Sequence, residues 1–253
     1  MDFLAVGILG SLWGSFANVC IYRLPLKGGV VKGRSFCPKC KKKIFWYENI
    51  PILSYLILGG KCSKCKKKIS TQYLLVEAIS IFSFLIIYYL FGISLTTILL
   101  IILFLSFLII FFIDLKYYII PDILTFPMMV LGFIKSFDPN LNPIFPNYTN
   151  SLLGGIIGYG IIWLIIMFYK KIRNREGMGL GDAKLLAVIG FWFGWISIPF
   201  VIFLSSTIAL IVVVPDLLKR QKKLTSQIPF GPYIITGTFI YLLFQNEFIS
   251  LLL

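Results

Sequence analysis

Residues 95–114 read LTTILLIILFLSFLIIFFID, and from Leu99 to Ile113 the only polar side chain is Ser106 before the run closes on Asp114. An apolar run of this length matches the roughly 20 residues that a helix needs to cross a hydrocarbon core. Outward from it, comparable runs recur at 3–22, 71–91, 122–135, 151–169, 182–195, 198–214 and 231–252. With 58% of its 253 residues hydrophobic and 13% charged, the chain is far more apolar than a soluble core of this size requires. The expected fold is an all-α polytopic membrane protein of about eight transmembrane helices. The runs at 122–135 and 182–195 are shorter than a full crossing.

Charge orients the runs. The 24 Lys and Arg outnumber 10 Asp and Glu, but 13 of the cations lie between Arg23 and Lys68, five between Lys170 and Lys184, and four between Lys219 and Lys223. With the N-terminus outside, the loops 23–70, 114–121, 170–181 and 215–230 face the cytoplasm and carry every cation but Lys135, with Lys184 one turn inside its helix. This pattern argues for membrane topology rather than a nucleic-acid partner. The first run has no basic segment before it and no convincing small-residue cleavage site, so it is expected to be a retained helix. Its Gly7, Gly10, Ser11, Gly14, Ser15 and Ala17 recur at spacings of three and four, which suits close helix packing. The expected organisation is a first helix at 1–22, a loop domain at 23–70 and a membrane domain at 71–253.

That loop holds two Cys-x-x-Cys pairs, Cys37/Cys40 and Cys62/Cys65, separated by 21 residues. Four thiolates at such spacing close a tetrahedral zinc shell with no open position, which is a structural site. Disulfides or a redox pair are the competing reading, disfavoured on the reducing side of a membrane. Cys20, within the first helix, is expected to be a small buried hydrophobe.

The chain contains no histidine. Ser-His and Cys-His nucleophile pairs and His-based metalloprotease sites are therefore excluded, and paired carboxylates remain as hydrolytic machinery. Asp114 and Asp182 stand apart, the first ending its long apolar run and the second following Gly179-Leu180-Gly181 at a helix start. Position alone leaves a solvated helix end open for Asp114 and a helix cap for Asp182. Glu77 and Asp122 are expected to act as caps or first-turn dipole partners.

Ordered motifs then accumulate along the chain. They are Gly14-Ser15-Phe16-Ala17-Asn18-Val19 with Tyr22-Arg23-Leu24-Pro25, both cysteine pairs, Glu48-Asn49-Ile50-Pro51, Ser54-Tyr55 and Gln72-Tyr73-Leu74-Leu75-Val76-Glu77. Asp114 leading to Ile120-Pro121-Asp122, Gly177 to Lys184, and Ile228 to Tyr233 complete the series. With these the sequence resembles the bacterial prepilin leader peptidases, Gly-x-Gly-Asp membrane aspartyl proteases. The resemblance implies that Asp114 and Asp182 are the catalytic pair. It also implies a type IV pilin-like or type II secretion pseudopilin precursor as substrate, cleaved at the cytoplasmic face of the bacterial inner membrane. N-methylation of the new N-terminus from S-adenosylmethionine is implied as well, with no cofactor residues assignable. A peptidase without methylation, a membrane transporter and a noncatalytic scaffold are the alternatives.

Overall fold

The computed structural model describes residues 3–26, 35–141, 145–173, 179–218, 227–245 and 247. Gly177 and Met178, and parts of the basic stretches 170–181 and 215–230 (residues 174–178 and 219–226), lie outside the described residues. The described chain is helical apart from short connections and two isolated β-bridges. Its α-helices are α1 (Phe3–Arg23), α2 (Leu53–Ile57), α3 (Thr71–Phe91), α4 (Leu95–Tyr117), α5 (Asp122–Lys135), α6 (Tyr148–Arg173), α7 (Leu180–Phe193), α8 (Ser197–Leu218) and α9 (Gly231–Leu243).

Eight of the nine fall where apolar runs were expected, and α2 is a short addition inside the loop. Five of them (α1, α3, α4, α6 and α8) are long and apolar enough to cross a membrane. The described residues thus form the all-α polytopic membrane fold that the sequence leads one to expect. At 1.5 Å per residue, α5 and α7 span only about 21 Å, short of the roughly 30 Å hydrocarbon core. For α9 the described helix stops at Leu243, and most of the expected remainder to 252 lies outside the described residues.

Two compact units form, Met1–Ile109 and Ile110–Leu253, with the boundary inside α4. In the first, α1 packs along α3. A Cβ on Gly10 would stand 3.0 Å from the Ile81 Cα, and one on Gly14 would stand 2.9 Å from the Glu77 Cα. The small-residue stripe thus serves close packing at these two positions, whereas at Gly7 the nearest atoms are 4.0 Å away and a side chain would fit. Cys20 is buried as expected.

In the second unit α7 is the central element, packed against α5, α6, α8 and α9. Leu185, Leu186, Val188, Ile189 and Trp192 are all but inaccessible. A helix wrapped by protein need not reach from one lipid interface to the other, which accounts for its short length. Contact with α6 is closest where Gly154 and Gly158, a small-xxx-small pair, meet α7. A Cβ on Gly190 would lie 2.0 Å from the Gly154 carbonyl oxygen, and one on Gly158 would lie 2.6 Å from that of Leu186.

These opposing atoms are backbone, which cannot swing aside as a side-chain tip can. Gly190→Ala is therefore expected to destabilise the second unit by about 2 kcal/mol or more, toward the upper end of overpacking costs. Gly160→Ala, which meets nothing within 4 Å, should leave thermal unfolding in detergent unchanged.

Candidate functional site

Two constellations are built by these elements, one in each unit. In the second, α4 runs past the expected end at residue 113 to Tyr117, so Asp114 sits within its last turns rather than at a solvated end. Its side chain is 4% exposed. Tyr118, at φ +58°, closes the helix by donating its N–H to the Asp114 carbonyl at 2.9 Å. A positive φ is uncommon for an aromatic residue, and here it serves as a left-handed helix stop that reverses the chain. Ile120 is thereby turned back and buried.

Ile120 is the point around which three separated motifs meet. A Cβ on Gly181 would be 3.0 Å from the Ile120 Cβ, and one on Gly231 would be 3.3 Å from its Cδ1 and 2.8 Å from Asp114 Oδ2. The N–H of Gly231, at the start of α9, donates to that same Asp114 oxygen at 2.9 Å. Asp182 follows Gly181 directly and is 8% exposed. The two carboxylates are close enough to act on each other electrostatically. Residues 114, 120, 181, 182 and 231 are thus brought into one neighbourhood from four segments.

The cap position left open for Asp182 is also occupied: its carboxylate accepts the backbone N–H of Gly179 at the N-cap of α7, so one side chain closes the helix start and faces Asp114. Gly179 is extended and has no side chain of its own to cap with, and Asp182 is the third helical residue. Gly181 is needed because of Ile120. A Cβ on Gly179 would meet nothing closer than Asp182 Oδ2 at 3.7 Å, an ordinary contact, so no close packing among the described residues demands that second glycine.

Sequence reasoning missed what holds α7 in place. Asp122, in the first turn of α5, accepts a 2.6 Å hydrogen bond from Lys184 Nζ, two residues after Asp182. Further along, Trp192 Nε1 donates to the Met128 carbonyl at 2.8 Å. Lys135 Nζ donates to the Trp192 carbonyl at 3.0 Å and lies 3.9 Å from the centre of the Phe145 ring. Lys135, the cation that broke the charge rule, is therefore buried, with its amine against a helix C-terminus and an aromatic face. The pairing of Asp122 joins the Pro-Asp motif to the Gly-x-Gly-Asp motif. The signal available in the sequence was an acid and a base each placed at a helix start, but their 62-residue separation concealed the partnership.

In the first unit the four sulfurs of Cys37, Cys40, Cys62 and Cys65 lie within 4.8 Å of one another. Cys37 and Cys65 approach to 4.0 Å and Cys40 and Cys62 to 3.9 Å, far beyond a disulfide bond. A zinc tetrathiolate with 2.3 Å bonds places its sulfurs roughly 3.8 Å apart, so the cluster fits such an ion. The two halves are near copies, CPKCKKKI at 37–44 and CSKCKKKI at 62–69. Both form the same turn: Lys41 N–H donates to the Cys37 carbonyl and Lys66 N–H to that of Cys62, with φ of +57° and +56° at the two lysines. Each turn is closed by an isolated bridge, Phe36 with Lys43 and Lys61 with Lys68. This octapeptide repeat is a signal that spacing arguments overlooked.

Backbone N–H groups of Cys65 and Lys64 pull the Cys62 thiol down to about 6. Cys40 goes the other way, to about 11, because burial and three neighbouring sulfurs outweigh the Lys42 N–H that favours its thiolate. Four crowded thiols cannot all ionise without a cation among them. Lys42 ties the halves together, donating to Glu48 Oε1 and to Ser63 Oγ at 2.7 Å each. The Lys42 ammonium first, then Ser63 and the Phe45 N–H, hold the Glu48 carboxyl down to about 2. This pair therefore contributes in full above the ordinary carboxylate range and is lost as pH falls toward 2.

Glu77 departs from expectation. The N-cap of α3 is Ser70, whose Oγ accepts from the Gln72 N–H at 3.2 Å. Glu77 lies in the second turn, buried, and accepts the Ile52 N–H at 2.8 Å. It anchors the loop to α3 rather than capping a helix.

These features define a multi-pass helical membrane protein with a four-cysteine loop and a buried pair of carboxylates at helix ends. The family profile described as "Type IV leader peptidase family" matches residues 99–214, and that described as "Bacterial Peptidase A24 N-terminal domain" matches residues 8–91. Among similar proteins, one named prepilin leader peptidase/N-methyltransferase from Pseudomonas aeruginosa is 35% identical, with 95% of this chain and 89% of the relative covered. Relatives of the same name from Neisseria gonorrhoeae (34% identical, 92% and 88% covered) and Aeromonas salmonicida (31% identical, 97% and 91% covered) agree with it. The chain belongs to the type IV leader peptidase family. No solved structure matches it.

If the Asp122–Lys184 pair fixes α5 on α7, reversing either charge should lower the unfolding temperature while the Asp122→Lys/Lys184→Asp exchange recovers most of the loss. A coupling of about 1 kcal/mol is expected for so partly exposed a pair, readable from a double-mutant cycle in detergent.

Proposed function

We propose that this chain is a membrane aspartyl endopeptidase that removes the short leader from type IV prepilin-like or pseudopilin precursors, with Asp114 and Asp182 as its catalytic pair. The observation that carries the assignment is the convergence of two buried carboxylates around Ile120 and Gly231 in a chain with no histidine. Family membership and the relatives' shared name support the substrate class. The inner membrane is the location, with the active site and the cysteine loop on the cytoplasmic side that the clustered lysines favour.

The chemistry follows from what two neighbouring carboxylic groups do. Like charges at short range cannot both persist, so the pair shares one proton. The ionised member takes a proton from water as the oxygen attacks the scissile carbonyl carbon, while the protonated member hydrogen-bonds to the carbonyl oxygen. Collapse of the tetrahedral intermediate breaks the C–N bond, and the amine leaves with a proton returned by the pair. Ile120, Gly181 and the Gly231 N–H hold the carboxylates in place for this exchange.

The four cysteines hold zinc in this reading, as a closed structural site. N-methylation of the new N-terminus is the second proposed activity, supported by the relatives' name; S-adenosylmethionine supplies an electrophilic methyl group when bound. Among the described residues no β-strand, and hence no strand-turn-helix nucleotide fold, is present. No methyl-transfer step is derived from this geometry.

Asp114→Asn and Asp182→Asn should each lower precursor cleavage by about 10³-fold or more while leaving thermal unfolding near that of the parent. Mass spectrometry of a reconstituted reaction reads both activities, as leader loss and as a gain of about 14 mass units on the new N-terminus when S-adenosylmethionine is added. Cleavage at the parental rate by either variant would remove the assignment. Cys37→Ser and Cys62→Ser are expected to reduce bound zinc from about one ion per chain to nearly none by elemental analysis.

A further inference from the structure

Between α1 and α3 the loop exposes apolar surface that no catalytic or metal-binding role uses. Trp46 is 81% exposed and Ile57 82%, with Phe45, Tyr47, Leu53 and Leu56 also exposed. In α2, Leu53, Leu56 and Ile57 follow the i, i+3, i+4 pattern and therefore share one face of the helical turn. These residues lie outside the membrane-spanning segments, so lipid around a spanning helix does not account for them.

Their position along α3 can be read from a hydrogen bond. Glu77 lies six residues into α3, about 9 Å along its axis from Thr71. It accepts the N–H of Ile52, the residue immediately before α2. The start of α2 is therefore held beside the second turn of the membrane-spanning helix α3, past its first residues. That offset along α3 is of the same size as the roughly 5–10 Å to which interfacial helices sink at the headgroup and acyl boundary. Ile52 itself has φ +60°, a costly conformation for a β-branched residue that persists only where its surroundings impose it. The buried Glu77 carboxylate is one such constraint.

Charge points to the same occupant. Lys41, Lys43, Lys64, Lys66, Lys67 and Lys68 are exposed around the cysteine cluster. Basic residues near an anionic bilayer surface each contribute about 1 kcal/mol, and Trp and Tyr favour the headgroup level.

We propose that α2 and the Phe45–Tyr47 run are an interfacial anchor that inserts into the bilayer boundary and seats the cysteine loop on an anionic lipid surface. A basic rim beside an apolar face, held beside a membrane-spanning helix, fits a bilayer better than a second copy of an equally basic chain, which would bring like charges together.

The full chain would be reconstituted in nanodiscs containing either phosphatidylglycerol or only phosphatidylcholine, with lipid brominated near the headgroup end of its acyl chains. The Trp46 signal is the emission difference between the parent and Trp46→Phe, which keeps an aromatic ring at the site. We expect at least a twofold loss of that signal in brominated phosphatidylglycerol discs, with weaker quenching in phosphatidylcholine discs, where the anionic attraction is absent. Leu56→Asn/Ile57→Asn should relieve the quenching and raise hydrogen exchange across 46–57. A Trp46 signal indifferent to bromination in both discs would overturn the proposal. So would a signal shielded in detergent only as protein concentration rises, which would assign the face to a second copy.

Discussion

An ionisable or hydrogen-bonding group within an apolar helix bundle must find a partner inside the protein, because the surrounding lipid offers none. Much of the polar architecture here answers that constraint. Asp114 takes the Gly231 N–H, Glu77 takes that of Ile52, and Lys135 finds the carbonyl of Trp192 beneath an aromatic ring. Each bond reaches across a large sequence separation, so satisfying the group also joins two elements. In such a medium the functional polar side chains and the structural ties are drawn from the same small set.

In the second unit the consequence is a site positioned by packing on every side. α7 carries Asp182 at one end and is held to α5 by an ion pair, an indole bond and a lysine bond in succession. Glycines at 154, 158 and 190 let α6 approach to backbone contact. The carboxylate neighbourhood is defined by one apolar side chain, Ile120, against two glycines. A close-packed interior transmits displacement, so the placement of Asp114 and Asp182 depends on residues that themselves carry no chemistry.

The first unit applies the same economy to a polar loop. Two octapeptide knuckles meet through four sulfurs, with Lys42 tying one half to Ser63 of the other. Glu77 fastens the segment before α2 to α3. The loop is therefore built as an attached layer of its unit.

Helix positions, the four-cysteine cluster, the absence of imidazole chemistry and the two candidate aspartates were legible in the sequence alone. They depend on hydrophobic run length, local spacing and residue type, which act over one helix or one turn. The partnership of Asp122 with Lys184, the burial of Lys135 and the role of Glu77 were not. Those follow from which surfaces meet across 25 to 62 residues, and a local pattern cannot encode a neighbour that only packing supplies. The same acidic residue at a helix start is a cap, an anchor or half of a carboxylate pair according to what the tertiary structure places opposite it, because the cost of burying its charge is settled by that neighbour.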